Sequence, residues 1–186
     1  MKAILQSFQL LTEEEIEAFQ DMLVPKRLKK GEYFIQEGRV CREIAFISSG
    51  FFRSYYFSSS GEELTYCFTF QQSFLAAYSS FITQEPTQEN IQAMMEVEML
   101  TISREKIIAL ENSSSNWLKV FKRMAEEEYV KMEKRIFLLQ KESAETKYQD
   151  LLKHHPDYLN LIPLNYLASY LGITQRHLSR IRASAN

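Results

Sequence analysis

Leu164-Asn165-Tyr166-Leu167-Ala168-Ser169-Tyr170-Leu171-Gly172-Ile173-Thr174-Gln175-Arg176-His177-Leu178-Ser179-Arg180-Ile181 is the stretch on which the reading of this 186-residue chain turns. Leu167 and Leu171 lie four apart and share one face of a helix. Ala168 is small enough to let a second helix approach, Gly172 suits the turn, Ile173 plugs the corner, and Leu178 and Ile181 form the returning face. Thr174 stands where an N-cap belongs, so its oxygen can satisfy one of the first free N–H groups of a helix over residues 175–182. The pattern predicts a helix-turn-helix.

The face that remains on the second helix offers Gln175, Arg176, Ser179 and Arg180, with His177 beside them. Arginine forks onto guanine O6 and N7, glutamine pairs with adenine N6 and N7, and Thr174 or Ser179 can reach a base edge or a phosphate. An ordinary αα-hairpin with a solvated basic edge would share the apolar spacing. It would not call for the Ala168, Gly172 and Thr174 combination together with Arg176, Arg180 and Arg182 inside seven residues.

Upstream, residues 116–140 contain no glycine or proline, and Leu118, Phe121, Ala125, Tyr129, Met132, Ile136 and Leu139 recur at steps of three and four. One long helix follows, and its remaining surface is heavily charged. Such a seam can pack within its own chain or pair with a second copy; its length favours a dimer contact. A further helix, Ala144–His154, carries Tyr148, Leu151 and Leu152 and ends at His155-Pro156. The adjacent His154 and His155 cannot share a helix face as metal ligands do, so they read as a solvated helix end.

The first hundred residues carry another signal. Thr12 caps a glutamate-rich amphipathic helix over residues 12–23, with Ile16, Phe19 and Leu23 on one side. Then come short β-rich runs: Tyr33-Phe34-Ile35, Ile44-Ala45-Phe46-Ile47, Phe51 to Phe57, Leu64 to Phe68 and Met99 to Ile102. Turn pairs separate them at Lys30-Gly31, Glu37-Gly38, Ser49-Gly50 and Ser60-Gly61. Short strands so punctuated predict an antiparallel sandwich or barrel.

Composition narrows the function. With 45% apolar and 25% charged residues the chain is ordinary globular material, and no run approaches the roughly 18 apolar residues of a membrane span. No secretory signal is evident at Met1-Lys2-Ala3-Ile4-Leu5, so a cytoplasmic protein without membrane partners is expected. Cys41 and Cys67 lack metal-ligand spacing and read as free thiols; no metal or other cofactor is expected. No nucleophile elbow, P-loop, dinucleotide glycine motif or zinc constellation appears, which argues against an enzyme. The net charge of −2 means that any nucleic-acid surface is a local cluster.

The order of parts resembles the Crp/Fnr family of bacterial transcription regulators over nearly the whole chain. The barrel looks like that family's cyclic-nucleotide-binding fold through Leu28-Lys29-Lys30-Gly31-Glu32, Glu37-Gly38, Ile44 to Gly50 and Gly61-Glu62-Glu63. The resemblance implies an α+β chain: a jelly-roll sensor barrel over residues 1–113, a dimerisation helix over 114–140, and a helix-turn-helix domain over 141–186 that lacks the family's β-wing. It implies a homodimer whose Gln175, Arg176 and Arg180 read bases in a palindromic double-stranded operator, its half-sites about 34 Å apart. It also places Tyr78, Ser79, Ser80, Thr87 and Gln88 in an effector pocket. Cyclic-AMP-responsive members hold the phosphate with Gly-Glu and Arg-Ser or Arg-Thr pairs, whereas residues 74–90 here contain no glycine or arginine. Tight cyclic AMP binding is therefore not expected, and any effector is an unidentified small molecule. The alternative is a ligand- or protein-binding adaptor whose C-terminal helices do not read DNA.

Overall fold

The computed structural model describes residues 1–154 and 156–185. It divides into two compact units. The first comprises Met1–Ser54 and Phe68–Glu126; the second comprises Tyr55–Cys67 and the chain from Glu127 onward.

The first unit opens with α1 (Lys2–Ser7) and α2 (Glu13–Asp21). Thr12 starts α2 with a reciprocal cap: its Oγ1 accepts from the Glu15 N–H at 3.1 Å, while the Glu15 carboxylate accepts from the Thr12 N–H at 2.9 Å. Eight strands follow: β1 (Val24–Leu28), β2 (Tyr33–Ile35), β3 (Glu43–Ser49), β4 (Phe51–Phe57), β5 (Glu63–Phe70), β6 (Phe74–Leu75), β7 (Asn90–Ala93) and β8 (Val97–Ser103). They make two four-stranded sheets, ordered β1-β8-β3-β6 and β2-β7-β4-β5. β8 lies antiparallel between β1 and β3, with Thr101 facing both Val24 and Ala45. This is the expected jelly-roll barrel.

All five β-rich runs of the sequence lie in strands. Sequence periodicity did not mark β1, whose residues are exposed along most of the strand, the two-residue β6, or the four-residue β7. Between β6 and β7 sits the short α3 (Tyr78–Thr83), and β8 runs directly into α4 (Arg104–Ser113), capped by Ser103. Ala45, Ile47, Phe52, Ile91, Val97 and Trp117 are among the core residues. The turn at Gly50 has φ +84°, and a Cβ there would fall 2.7 Å from the Glu96 carbonyl oxygen, so both conformation and space demand glycine.

The helix α5 (Ser115–Lys141) extends the expected 116–140 by one residue at each end. It begins in the first unit and ends in the second. The second unit adds the β4–β5 hairpin tip, α6 (Ala144–His154), α7 (Pro156–Leu159), α8 (Leu164–Leu171) and α9 (Gln175–Ala185). α6 packs on α7, α8 and α9. Tyr148, Leu151, Leu159, Ile162, Leu167, Leu171, Leu178 and Ile181 are among the larger apolar side chains buried in these helices and the turns between them. His155, read as part of a solvated helix end, lies outside the described residues.

Candidate nucleic-acid interface

The turn between α8 and α9 is built from local hydrogen bonds. Gly172 takes the left-handed conformation at φ 69°, ψ 33°; its N–H donates to the Ser169 carbonyl, and the Ile173 N–H donates to the Ala168 carbonyl, each at 3.0 Å. That pair of bonds is a Schellman stop, which left-handed glycine commonly permits. Thr174 then caps α9, its Oγ1 accepting from the His177 N–H at 3.2 Å. Leu167, Leu171 and Leu178 are each 0% exposed, so α8 and α9 share a closed apolar contact. A helix-turn-helix is therefore present where the sequence predicts it.

With Leu178 and Ile181 turned inward, Gln175, Arg176, Ser179 and Arg180 are all exposed on α9. Arg176, Ser179 and Arg180 fall at helical steps of three and four, so they share a face. Those three side-chain types provide forked and single donors on one rigid helix. Thr174 is exposed at the start of the same helix. His177 differs in its surroundings: its Nε2 lies 3.6 Å from the Glu145 carboxylate of α6. Glu145 is held below the usual carboxylate range by its own backbone N–H, by Ser143 and by His177.

Two further contacts on α8 involve residues that the sequence alone did not single out. Ser169 Oγ accepts from the Thr65 N–H of β5 at 2.9 Å and donates to the Glu63 carbonyl at 3.3 Å. Arg135 of α5 donates to the Tyr170 carbonyl, and its guanidinium lies 3.7 Å from the centre of the Tyr170 ring. Burial pushes the Tyr170 phenol up, partly opposed by Arg135. These pairs join residues 35 to 106 positions apart, and nothing in local patterning signals them.

The seam expected on α5 is split. Phe121 is half-buried, packs against the barrel core and lies 5.4 Å from the Trp117 ring. Ala125 is half-buried, whereas Leu118, Tyr129, Met132, Ile136 and Leu139 are 37–67% exposed.

The expected effector residues are less convergent. Tyr78 is 45% exposed and its ring stacks near that of Phe81; Ser79 and Gln88 are also exposed. Ser80 and Thr87 are buried, and their hydroxyls have backbone partners. Ser80 Oγ accepts from the Cys41 N–H at 3.0 Å and donates to the Glu85 carbonyl, while Thr87 Oγ1 accepts from the Glu89 N–H at 3.2 Å. Among the described residues, no three His, Cys, Asp or Glu side chains gather at a metal-binding distance. Among the same residues, no helix is long and apolar enough to cross a membrane.

The architecture is thus a β-barrel, a long helix and a helix-turn-helix. Residues 25–114 match the cyclic nucleotide-binding domain family. Over most of its length the chain shares its fold with the solved structures that follow. FixK2 from Bradyrhizobium japonicum is similar with a TM-score of 0.74 at 15% identity, covering 87% of this chain and 83% of that one. A regulator from Eubacterium rectale assigned to the Crp/Fnr family gives 0.70 at 17% identity, covering 94% and 83%. The c-di-GMP-responsive global regulator CLP of Xanthomonas campestris gives 0.67 at 14%, covering 94% and 91%. No curated protein matches the chain by sequence.

Proposed function

We propose that this chain is a sequence-specific DNA-binding transcription regulator that works as a homodimer on a palindromic operator. The observation that carries the reading is the exposed row of Arg176, Ser179 and Arg180 on α9, with Gln175 and Thr174 at its start, on a helix anchored by Leu178 and Ile181. A helix presented this way enters the major groove, where its N-terminal side chains meet base edges. His177, beside Glu145, serves this reading less directly than the arginines.

The exposed apolar side chains of α5 support dimerisation. Tyr129, Met132, Ile136 and Leu139 sit at steps of three and four and leave a strip that a second copy of the helix would cover. The domain reading of 1–113, 114–140 and 141–186 assigns sensing, pairing and DNA contact to successive segments. The protein works in the cytoplasm.

The effector is an unidentified small molecule other than cyclic AMP. Residues 74–90 contain no arginine, lysine or glycine to hold a phosphodiester, and the Ser80 and Thr87 hydroxyls already have backbone partners. Burying a phosphate there would leave its charge poorly compensated.

Selection of bound duplexes from a random DNA library, run in parallel with the wild type and the Arg176→Ala/Arg180→Ala double variant, tests the reading. An enriched palindrome that the double variant loses is the expected result. No enrichment by the wild type would overturn the DNA reading in favour of a protein- or ligand-binding adaptor.

A further inference from the structure

The β4–β5 hairpin tip belongs to the same compact unit as the helix-turn-helix, although its chain position is within the barrel. Ser169 contributes to the join. Ser169 Oγ is both acceptor from the Thr65 N–H and donor to the Glu63 carbonyl, so a single hydroxyl engages two backbone groups of β5. The next residue, Tyr170, is held from another element by Arg135, whose guanidinium binds its carbonyl and covers its ring. Consecutive residues in the last turn of α8 are thus fixed by a strand and by a helix. The Schellman turn at Gly172 and the fully buried Leu167, Leu171 and Leu178 carry that fixation into α9.

We infer that Ser169 is a positioning residue for the reading helix: it clamps α8 to the hairpin tip and so sets the tilt at which α9 presents Arg176 and Arg180. The inference rests on the DNA-reading role proposed for α9. Ser169 needs no contact with DNA for this. An 11-residue helix is about 16 Å long at 1.5 Å per residue, so a small tilt at its base is magnified at its far end. Hydrogen bonds to base edges tolerate only a few tenths of an ångström, and a shift of about 1 Å breaks them. Phosphate contacts made by long, flexible cations tolerate the same shift, because they act as screened charges. Loosening the clamp should therefore cost specificity before it costs general affinity.

The test uses the full chain with Ser169→Ala and the conservative Ser169→Thr. Hydrogen exchange followed by mass spectrometry reads the clamp without DNA. Ser169→Ala should speed exchange in peptides spanning 60–67 and 164–171, and Ser169→Thr should restore protection. Binding to the selected operator and to a scrambled duplex reads the positioning. Ser169→Ala should weaken operator binding by about five- to tenfold, roughly the effect of losing one net hydrogen bond. Scrambled-duplex affinity and the salt slope should be unchanged, with Ser169→Thr again close to wild type. A residue that served only stability would lower both affinities together or neither. Unchanged exchange in Ser169→Ala overturns the clamp, and increased exchange with an unchanged operator-to-scrambled ratio overturns the positioning role. If the wild type selects no sequence, the DNA reading and the positioning role both fall, while the exchange arm still decides whether Ser169 holds the hairpin.

Discussion

Substitution of Gly172 separates backbone strain from steric crowding at the turn that defines the helix-turn-helix. Gly172 has φ +69°, and a Cβ built there meets nothing within 4 Å. The cost of Gly172→Ala is therefore conformational alone. A left-handed L-residue costs about 1–2 kcal/mol. Alanine recovers about 0.4–1 kcal/mol of this by restricting the unfolded chain. The net loss is about 1 kcal/mol. Asparagine tolerates this conformation, so Gly172→Asn should cost less than alanine; Gly172→Val, β-branched, should cost more. Gly50→Ala offers the contrast, because its Cβ would sit 2.7 Å from the Glu96 oxygen and 2.9 Å from Val97 Cγ2. Overpacking there adds about 1–3 kcal/mol to the strain. Urea titration read by far-ultraviolet circular dichroism measures each loss. Trp117, the single tryptophan and 1% exposed, supplies a fluorescence signal specific to the first unit. A neutral Gly172→Ala, or an asparagine variant less stable than the alanine, would refute the strain account.

Three other outcomes are expected. Arg176→Ala and Arg180→Ala should each cost about 1–3 kcal/mol of operator binding and relax preference at a separate base position; a uniform loss over all sequences would instead make them phosphate contacts. If the proposed dimer pairs through α5, Met132→Glu/Ile136→Glu should convert it to monomer in sedimentation velocity, since both side chains are about half exposed or more and carboxylates facing a symmetry mate repel; a persisting dimer would place the interface elsewhere. Isothermal titration with cyclic AMP should give no binding heat at micromolar ligand, and micromolar affinity would show that the phosphate is held without the missing arginine.

The helix-turn-helix was readable residue by residue because every determinant is local: Gly172 for the turn, Thr174 for the cap and Leu178 for the return face all act within a few positions. The longer strands were readable for the same reason, with aromatic and β-branched runs bounded by glycine turns. β1 was not, because its Val-Pro-Lys-Arg-Leu lies exposed at a sheet edge and its place is set by β8, more than seventy residues away. The contacts of Ser169 and Arg135 were equally silent, since a serine and an arginine in amphipathic helices carry no mark of a distant backbone partner. The pocket residues illustrate the opposite case. Ser80 and Thr87 have the right chemistry for ligand binding, yet burial obliges their hydroxyls to find partners, and the nearest were backbone groups.

The seam of α5 changes its surroundings along the helix. From Leu118 its apolar residues advance by three, four, four, three, four and three, ending at Leu139. Alternating threes and fours keep a stripe facing one partner, whereas two fours in succession, from Phe121 through Ala125 to Tyr129, shift its phase. The structure changes character across that shift. Before it, Phe121 packs against the barrel core alongside Trp117, Val120 and Met124, although Leu118 on the outer side is 52% exposed; after it, Tyr129, Met132 and Ile136 are exposed at 49–67%. A stripe that stayed in phase would present one face to one neighbour throughout, and Phe121 would then belong with Met132. Because it does not, Phe121→Ala should destabilise the first unit and leave self-association intact, while the effect of Met132→Glu should fall on self-association. On the dimer proposed above, the pairing surface would accordingly begin near Ala125, beyond Phe121 and its barrel contacts.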